Sequence, residues 1–310
     1  MSASLITSKR IDQLKHKRID ISFFKQWRDI FLAVTDNRLA LFGVVILTLI
    51  VLMAVFADQI SPQDPTHQNL RLTLRPPAWS QGGDPQYFLG TDHFGRDILS
   101  RLIHGARVSI PTAGIAAFFA LAVGITIGLI AGYFGGQIDT LLTGFVDIFL
   151  AFPLILMALS LAAILGPSMR NLMIVMALTG WMSYARVIRS AVLGIKDKEY
   201  IFASVALGAS HLRVILGHIL PNVIAPVLVL VAYNFSQFII LESALSFLGL
   251  GIPPPTPTWG RMLFEGRDFL TIAPWIITFP GVAIMLTVLS ANFIGDGLRD
   301  ALDPHLRNLT

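Results

Sequence analysis

Six apolar stretches of the sequence constrain this chain more than any other feature. Each is almost free of charge and about 20 residues long or more, which is the length that a helix needs to cross a hydrocarbon core of about 30 Å. They cover residues 39–57, 108–134, 140–165, 171–193, 223–248 and 271–294. The sequence therefore predicts an all-α membrane protein with six transmembrane helices.

Composition supports the same class. Hydrophobic residues make up 54% of the 310-residue chain and charged residues only 14%, against about 25% charged residues in soluble globular proteins. The chain has no cysteine, which excludes disulfides, thiolate catalysis and Cys-ligated metal sites. We attribute the net charge of +4 to basic anchors in cytoplasmic loops and expect contact with membrane lipid and none with nucleic acid.

Basic residues set the expected orientation. Six spans place both termini on one side of the membrane. If that side is the cytoplasm, 15 Lys and Arg residues lie inside and 8 outside, as the positive-inside rule requires. The expected cytoplasmic segments are residues 1–38, 196–222 and 295–310, and the expected periplasmic loops are residues 58–107 and 249–270.

Two polar segments carry further local structure. Aromatic and aliphatic residues recur at helical spacing among the charges of residues 21–36, which predicts an amphipathic helix on the membrane surface; a disordered basic arm is the alternative. We expect residues 1–38 not to act as a cleavable signal peptide. The loop at residues 58–107 is rich in Pro and Gly, and we expect it to be ordered, with a short helix near Arg96–His104.

The sequence lacks the motifs of an intrinsic enzyme. It has no Gly-Lys pair and so no phosphate-binding P-loop, and it has neither an HExxH nor a GxSxG motif. His211 and His218 lie seven residues apart, and we interpret them as solvated or packing residues. We expect a non-catalytic chain that binds no metal and no cofactor directly.

Charges inside spans are expensive and mark functional or pairing positions. Asp147 and Arg186 each lie roughly 10–12 Å from the cytoplasmic end of their span at 1.5 Å per residue, so the two side chains can pair. Alternatively, Arg186 and Arg189 extend to the inner interface; a substrate contact is the less favoured interpretation. Glu242 lies near the outer end of the fifth span and is either a gate or vestibule residue or an interfacial carboxylate.

Small residues and prolines inside spans predict local packing. Gly124, Gly128 and Gly132 recur every four residues in the second span, a stripe that lets helices pack closely. Pro153 and Pro280 interrupt the third and sixth spans. Each removes a backbone hydrogen bond and can kink its helix.

The longest polar interruption in the second half of the chain is KDKEYIFASVALGASHLRVILGHILPN, residues 196–222. Its pattern predicts a helix, a turn and a second helix. Small residues precede Gly208, Ala209-Ser210 can begin a new helix, and Pro221-Asn222 closes the stretch.

This stretch resembles the cytoplasmic signature of binding-protein-dependent ABC importer permeases, EAA-x3-G-x9-I-x-LP. Phe202 stands where the signature has Glu, and His218 stands where it has Ile. The resemblance implies that an ATPase docks on this stretch; without the Glu, docking is expected to rest on shape and apolar packing. The implied coupling residues are Phe202, Ala203, Ser204, Gly208, Ala209, Ser210, Arg213, Leu220 and Pro221.

Other strings extend the resemblance over about residues 38–306. LGTDHFGRDILSRLIHGARVS, ALSFLGLGIPPPTPTWGRML and FPGVAIMLTVLSANFIGDGLRDALDP are similar to the dipeptide/oligopeptide/nickel branch of that superfamily, in its dipeptide permease C-like type. The resemblance implies a type I ABC importer (MetI-like) permease fold in the inner membrane of a bacterium. It also implies a second homologous permease subunit, two cytoplasmic ATPase subunits that bind ATP and Mg²⁺, and an extracytoplasmic solute-binding protein.

Alternatives to this interpretation remain open. The same architecture serves small peptides, nickel chelates and other small solutes in the family, and a small peptide is the expected cargo. A self-sufficient transporter driven by protons or sodium is a different class, with Asp147 and Glu242 as its coupling carboxylates. That class fits less well because the six spans show no clear inverted repeat.

Overall fold

The computed structural model describes residues 37–302 of the chain. Within that range the structure is helical, and an isolated bridge between Thr91 and Asp97 is the sole β-type pairing. The amphipathic helix expected over residues 21–36 and the end of the expected tail, residues 303–310, lie outside the described residues.

The described chain contains eleven α-helices, which we number in chain order. They are α1 (Arg38–Val55), α2 (Ala57–Ile60), α3 (Ile98–Phe134), α4 (Gly136–Leu150), α5 (Leu154–Leu165), α6 (Met169–Leu193), α7 (Glu199–Ala206), α8 (His211–Val214), α9 (Leu220–Phe247), α10 (Trp259–Gly266) and α11 (Trp275–Leu302). A π-helical turn at Ile215–Ile219 joins α8 to α9, and 3₁₀ turns lie at Leu70–Leu72 and Arg267–Phe269.

Five helical segments are long and apolar enough to cross a membrane: α1, α3, α6, the continuous stretch His211–Phe247 that ends in α9, and α11. A sixth span is counted if α4 and α5 are taken together. These two helices meet at 83°.

The sequence predicts the third span as a single kinked helix over residues 140–165, but the structure has two helices there. Pro153 does not sit inside a helix but at the N-cap of α5. Proline has no N–H to continue a helix and pushes the residue before it toward extended backbone. At 1.5 Å per residue, 15-residue α4 and 12-residue α5 are about 22 and 18 Å long, so each is short for a hydrocarbon core of about 30 Å.

Three other boundaries also differ from the sequence pattern. The short helix expected near Arg96–His104 is the first part of α3, which begins at Ile98 instead of Val108. Asp97 caps it, because its carboxylate accepts a hydrogen bond from the Ser100 N–H at 2.8 Å. Pro221 lies in the first turn of α9, and α11 continues to Leu302 through the first half of the expected tail.

The glycine stripe of α3 lies against α6. A methyl group on Gly128 would stand 2.7 Å from the Ala185 carbonyl oxygen, and one on Gly132 would stand 2.7 Å from Val192 Cβ. Gly124 is equally close to the backbone of α6 at Trp181. The small residues thus allow the backbones to approach in the way the spacing predicts.

Both described ends of the chain meet on one side of the bundle. Asn37, which precedes α1, donates to the Asp300 carboxylate near the end of α11 at 3.4 Å. The C-terminal part of α11 lies beside the first half of α9, since Gly295 approaches Val229 and Ala232. The ends therefore share a side with the connection between α6 and α9.

Charged side chains are buried together on the opposite side. Arg96 contacts Asp92 and Glu265 at 2.6 Å each, and Arg101 contacts the same two carboxylates, with Glu265 at 2.8 Å. None of these four side chains is more than 8% exposed. The network ties the first long loop and the start of α3 to α10.

Glu265 is the residue on which this outer network converges. Burial by itself raises the pKa of its carboxyl, but the charges of Arg101 and Arg96, together with the hydrogen bond from Arg261, outweigh burial and hold the pKa below its ordinary value. Burial of an ion pair is favourable only when its remaining hydrogen bonds are made. Glu265 meets that condition, because Arg261 Nε also donates to it at 2.9 Å.

We expect Gly128→Ala to destabilise the protein and Gly114→Ala to leave it unchanged or slightly more stable. Both glycines lie in α3, but a methyl group on Gly114 meets no atom within 4 Å. Forcing a methyl group against backbone costs typically 1–3 kcal/mol. Thermal unfolding of the two variants in the same detergent checks this, and equal midpoints would refute close α3–α6 packing.

We expect Glu265→Gln to lower stability at neutral pH by about 3–5 kcal/mol, since two buried guanidinium groups lose a charged partner. The lowered pKa means that ionised Glu265 stabilises the fold above its unfolded pKa of about 4.3, and that this contribution is lost as the pH falls through the folded pKa. The variant should therefore lose less additional stability on acidification than the wild type does. Unfolding at several pH values measures this.

Asp268→Asn is the matched control for that experiment. Asp268 is close in sequence, but its side chain is 74% exposed, so its removal should change neither the midpoint nor the acid-side slope. Identical acid-side slopes for wild type and Glu265→Gln would contradict the stabilising role of the network.

Candidate functional site

The connection between α6 and α9, residues 194–219, is here named the α6–α9 linker. Its first helix, α7, ends in a Schellman motif: the Gly208 N–H donates to the Val205 carbonyl at 2.9 Å, and the Ala209 N–H donates to the Ser204 carbonyl at 3.1 Å. Gly208 has φ +84°, and a methyl group there would meet no atom within 4 Å. Glycine is required at this position by backbone conformation and not by space.

The second helix of the linker begins as the sequence pattern predicts. The Ser210 hydroxyl accepts a hydrogen bond from the Arg213 N–H at 3.4 Å and caps α8. Arg213 itself is exposed. The α6–α9 linker therefore has the predicted helix–turn–helix form, with Gly208 at the turn.

Contacts hold the α6–α9 linker to the membrane helices. The hydroxyl of Tyr133, near the end of α3, is 2.8 Å from His211 Nδ1. Ile201, Val214 and Ile219 are buried in the main hydrophobic core. The linker is thus packed against the bundle. His211 contributes to this packing through its contact with Tyr133.

The outer surface of the α6–α9 linker is apolar. Phe202 is 60% exposed, Leu207 is 89% exposed and Leu212 is 66% exposed. Ala203 and Pro221 are also exposed, and Ser204, Ala209 and Leu220 are half-buried. Large apolar side chains exposed close together mark an interaction surface.

The charged residues of α4 and α6 pair with one another. Arg186 Nη2 lies 2.6 Å from Asp147 Oδ1, the pair that the sequence suggested. Arg189 binds Asp139, at the start of α4, with two nitrogens, one at 2.7 Å. The sequence analysis missed Asp139, although it follows the turn that begins α4. A cavity of about 310 Å³ lies between α3, α4 and α6 beside these groups.

Glu242, near the end of α9, is not the exposed interfacial carboxylate that its position in the sequence allowed. Its side chain is fully buried. The Ser246 hydroxyl donates to it at 2.9 Å, and the hydroxyls of Ser109 and Ser243 lie at 3.4 Å. Ser109 belongs to α3, so Glu242 joins α9 to α3 through hydroxyl groups inside the bundle.

A second cavity, of about 300 Å³, lies where α4 and α5 meet α6 and α9. Its polar lining residues include Ser183, Asn234 and Gln237. The Ser183 hydroxyl lies 3.2 Å from Asn234 Oδ1. The sequence analysis singled out charges and overlooked these neutral residues, although an Asn and a Gln inside an apolar run are the signal that identifies them.

Within residues 37–302, no three His, Asp or Glu side chains lie close enough to hold a metal ion.

Two family models match the chain. Residues 124–308 match the binding-protein-dependent transport system inner membrane component. Residues 25–77 match the N-terminal TM domain of oligopeptide transport permease C.

Similar proteins are permeases of peptide transport systems. The chain is 43% identical over 282 residues, 91% of each chain, to the dipeptide transport system permease protein DppC of Alkalihalophilus pseudofirmus. It is 44% identical over 272 residues, 88% of this chain and 92% of the relative, to DppC of Haemophilus influenzae. It is 40% identical over 281 residues, 91% of this chain and 90% of the relative, to the oligopeptide transport system permease protein OppC of Bacillus subtilis.

A solved structure shares the fold. A chain of the MetNI methionine ABC transporter, in an inward-facing conformation, superposes with a TM-score of 0.55 and 16% identity, covering 69% of this chain and 98% of the other. The predicted type I importer permease fold is confirmed; the orientation of its termini stays a prediction. By its sequence relatives and its family models, the chain belongs to the binding-protein-dependent transport system inner membrane components, the permeases of ABC importers.

Proposed function

We propose that this chain is one of two permease subunits in an ATP-driven importer and that its cargo is a small peptide. The observation that carries the proposal is the α6–α9 linker, an apolar surface built on a Gly208 turn and packed against the ends of the membrane helices. Relatives named as dipeptide permeases support the choice of cargo.

The α6–α9 linker faces the cytoplasm in this proposal. The positive-inside count of the sequence supports that orientation. Both described ends of the chain lie on the same side as the linker, so the termini would be cytoplasmic too. The ordered loops joined by the outer ion-pair network would face a solute-binding protein.

Force from the ATPases has a short route into the membrane. One end of the α6–α9 linker continues from α6, and the other passes through the π-helical turn into α9. Tyr133 connects the same linker to α3. Movement of the linker would therefore displace α3, α6 and α9 together, while the broken α4–α5 pair has few buried residues to hold it in one position.

ATP acts in this scheme by binding to the partner subunits, with Mg²⁺, and this chain binds neither. A ligand shifts a conformational equilibrium only through different affinities for the two states. ATP would supply that difference from the cytoplasmic side, and the loaded binding protein would supply it from outside. We expect that the isolated chain neither hydrolyses ATP nor transports.

Docking to the ATPase would rest on apolar contact. Phe202 replaces the glutamate of the family signature and is exposed, as is Leu207 at the helix end. Both side chains are available to fill a groove on the partner. Fully burying one such side chain contributes about 1.5–3 kcal/mol.

An ion-driven transporter is less well supported by the geometry. Its coupling carboxylates would have to gain and lose a proton or an ion during transport. Asp147 is paired with Arg186 at 2.6 Å, and Glu242 is fully buried among serine hydroxyls. Import of nickel or of another small solute by the same architecture remains the alternative for the cargo.

We expect Gly208→Asp to abolish peptide uptake and transport-coupled ATPase activity while the protein stays in the membrane. The substitution strains a backbone at φ +84° and places a charge on an apolar docking surface. Uptake into proteoliposomes that contain the assembled importer measures the effect. Gly166→Asp is the control, since Gly166 also has a positive φ, +79°, with no atom within 4 Å of an added methyl group, but it precedes α6 at the end of that helix opposite the linker; normal uptake by Gly208→Asp would contradict the coupling role.

We expect Leu207→Ser to weaken association with the ATPase subunits by about 10- to 100-fold, the equivalent of losing one buried large apolar side chain. Leu270→Ser is the matched control, because Leu270 is also an exposed leucine, at 56% against 89% for Leu207, but lies on the opposite side of the bundle. Copurification and equilibrium binding in detergent measure the effect. Equal affinity of Leu207→Ser and wild type would rule out apolar docking at this position.

A further inference from the structure

The cavity at the break of the third span is polar at a depth where polar groups are rare. Asn234 lies halfway along the 28-residue helix α9, which places it about 20 Å from either end at 1.5 Å per residue. Ser183 lies just past the middle of α6. Polar side chains at this depth usually face a bundle interior or a water-filled cavity and serve function.

The break between α4 and α5 creates this cavity. Phe149 and Phe152, on either side of the break, line it together with Gln237 of α9. Two of its lining residues, Phe152 and Leu154, are 62% and 44% exposed, so the described chain leaves the mouth of the cavity uncovered. Gln237 is exposed as well, and hydrocarbon is an unfavourable environment for its carboxamide.

Hydrogen bonds hold the carboxamide of Asn234 in place, whereas the carboxamide of Gln237 is accessible. Asn234 donates to the Leu230 carbonyl at 3.0 Å and accepts from Ser183 at 3.2 Å. A carboxamide has two N–H groups and two lone pairs, so Asn234 retains one of each. Asn234 is thus a positioned group, and Gln237 is the side chain that reaches an incoming solute.

We infer that this cavity is a transient binding station for the peptide backbone of the cargo, with Gln237 as the contact and Asn234 beside it. The inference deepens the proposed function and rests on it. A peptide group presents one N–H and one C=O, and a carboxamide pairs with both. Every residue that lines the cavity is uncharged at neutral pH, so neither terminus of a zwitterionic peptide is bound by an opposite charge.

The same lining fits a peptide better than a metal ion. Imidazole is a suitable ligand for a nickel ion, whereas the cavity offers amide and hydroxyl groups among apolar side chains. Its volume of about 300 Å³ lies at the lower end of the range of ligand pockets, about 300–1,000 Å³. One or two neutral hydrogen bonds bind a solute only weakly. Weak binding is what a site on a transport pathway requires, because the cargo has to leave it again.

The test compares Ala-Ala with its depsipeptide analogue, in which an ester oxygen replaces the peptide nitrogen and its hydrogen. Gln237→Leu removes the hydrogen-bonding groups at nearly constant size. We expect it to lower uptake of Ala-Ala by the assembled importer about threefold to tenfold, the effect of one lost neutral hydrogen bond. Uptake of the ester should fall by a smaller factor than uptake of the peptide, because the ester lacks the N–H from which Gln237 would accept a hydrogen bond and keeps only the C=O.

Tyr233→Phe is the matched control. Tyr233 lies at the same depth of α9 but faces α11, near Gly295, and removal of its hydroxyl should leave both substrates unaffected. An equal loss of uptake for peptide and ester in an assembled Gln237→Leu importer would overturn the inference in favour of a structural role. No change for either substrate would overturn it as well. Failure of the wild-type importer to take up any peptide would instead refute the proposed function.

A labelling experiment gives an independent answer if Gln237→Leu impairs assembly. The chain has no cysteine, so Gln237→Cys introduces a single thiol into this subunit. We expect Ala-Ala, delivered by the binding protein, to slow its reaction with a small thiol reagent at least twofold, with Tyr233→Cys unaffected. Labelling rates that are the same with and without peptide would contradict the inference.

Discussion

The close contact between α3 and α6 is the interaction on which the rest of the structure depends. Helices in a bilayer gain little from burying apolar surface, because the lipid is equally apolar, and they associate through close packing instead. Three glycines of α3 bring its backbone against α6 between Trp181 and Val192. The α6–α9 linker leaves directly from α6 and is held by Tyr133 at the end of α3, so this one contact determines where the linker sits.

Buried polar interactions are unevenly distributed over the bundle. On the side opposite the α6–α9 linker, Arg96, Arg101 and Glu265 tie the loops to α3 and α10, and Glu242 joins α9 to α3 through hydroxyls. The α4–α5 pair lacks a comparable buried anchor; the ion pairs of α4, such as Asp147 with Arg186, are partly exposed. A pathway that opens and closes needs such a contrast, and the break at Pro153 is where the structure provides it.

Local patterns in the sequence were reliable where the cause is local. The capping of α8 by Ser210, the turn at Gly208 and the glycine stripe of α3 each depend on a few neighbouring residues, and each is found where the pattern placed it. Patterns were less informative where the partner is distant in sequence, although depth within the spans did predict the pair of Asp147 with Arg186. Arg189 pairs with Asp139, and Glu242 is enclosed by serines of two helices, because helix faces are set by packing and not by hydropathy.

The sequence by itself determined the class of the protein, its apolar spans and the position of the α6–α9 linker, since hydrophobic length, charge and glycine conformation are properties of short segments. It also determined the family, through long strings that match in order. Only the tertiary structure decided that the third span breaks by 83° and that Asn234 and Gln237 face a common cavity with Ser183. The physical reason is that a cavity is defined by the distances between helices, and those distances depend on side chains from separate parts of the chain.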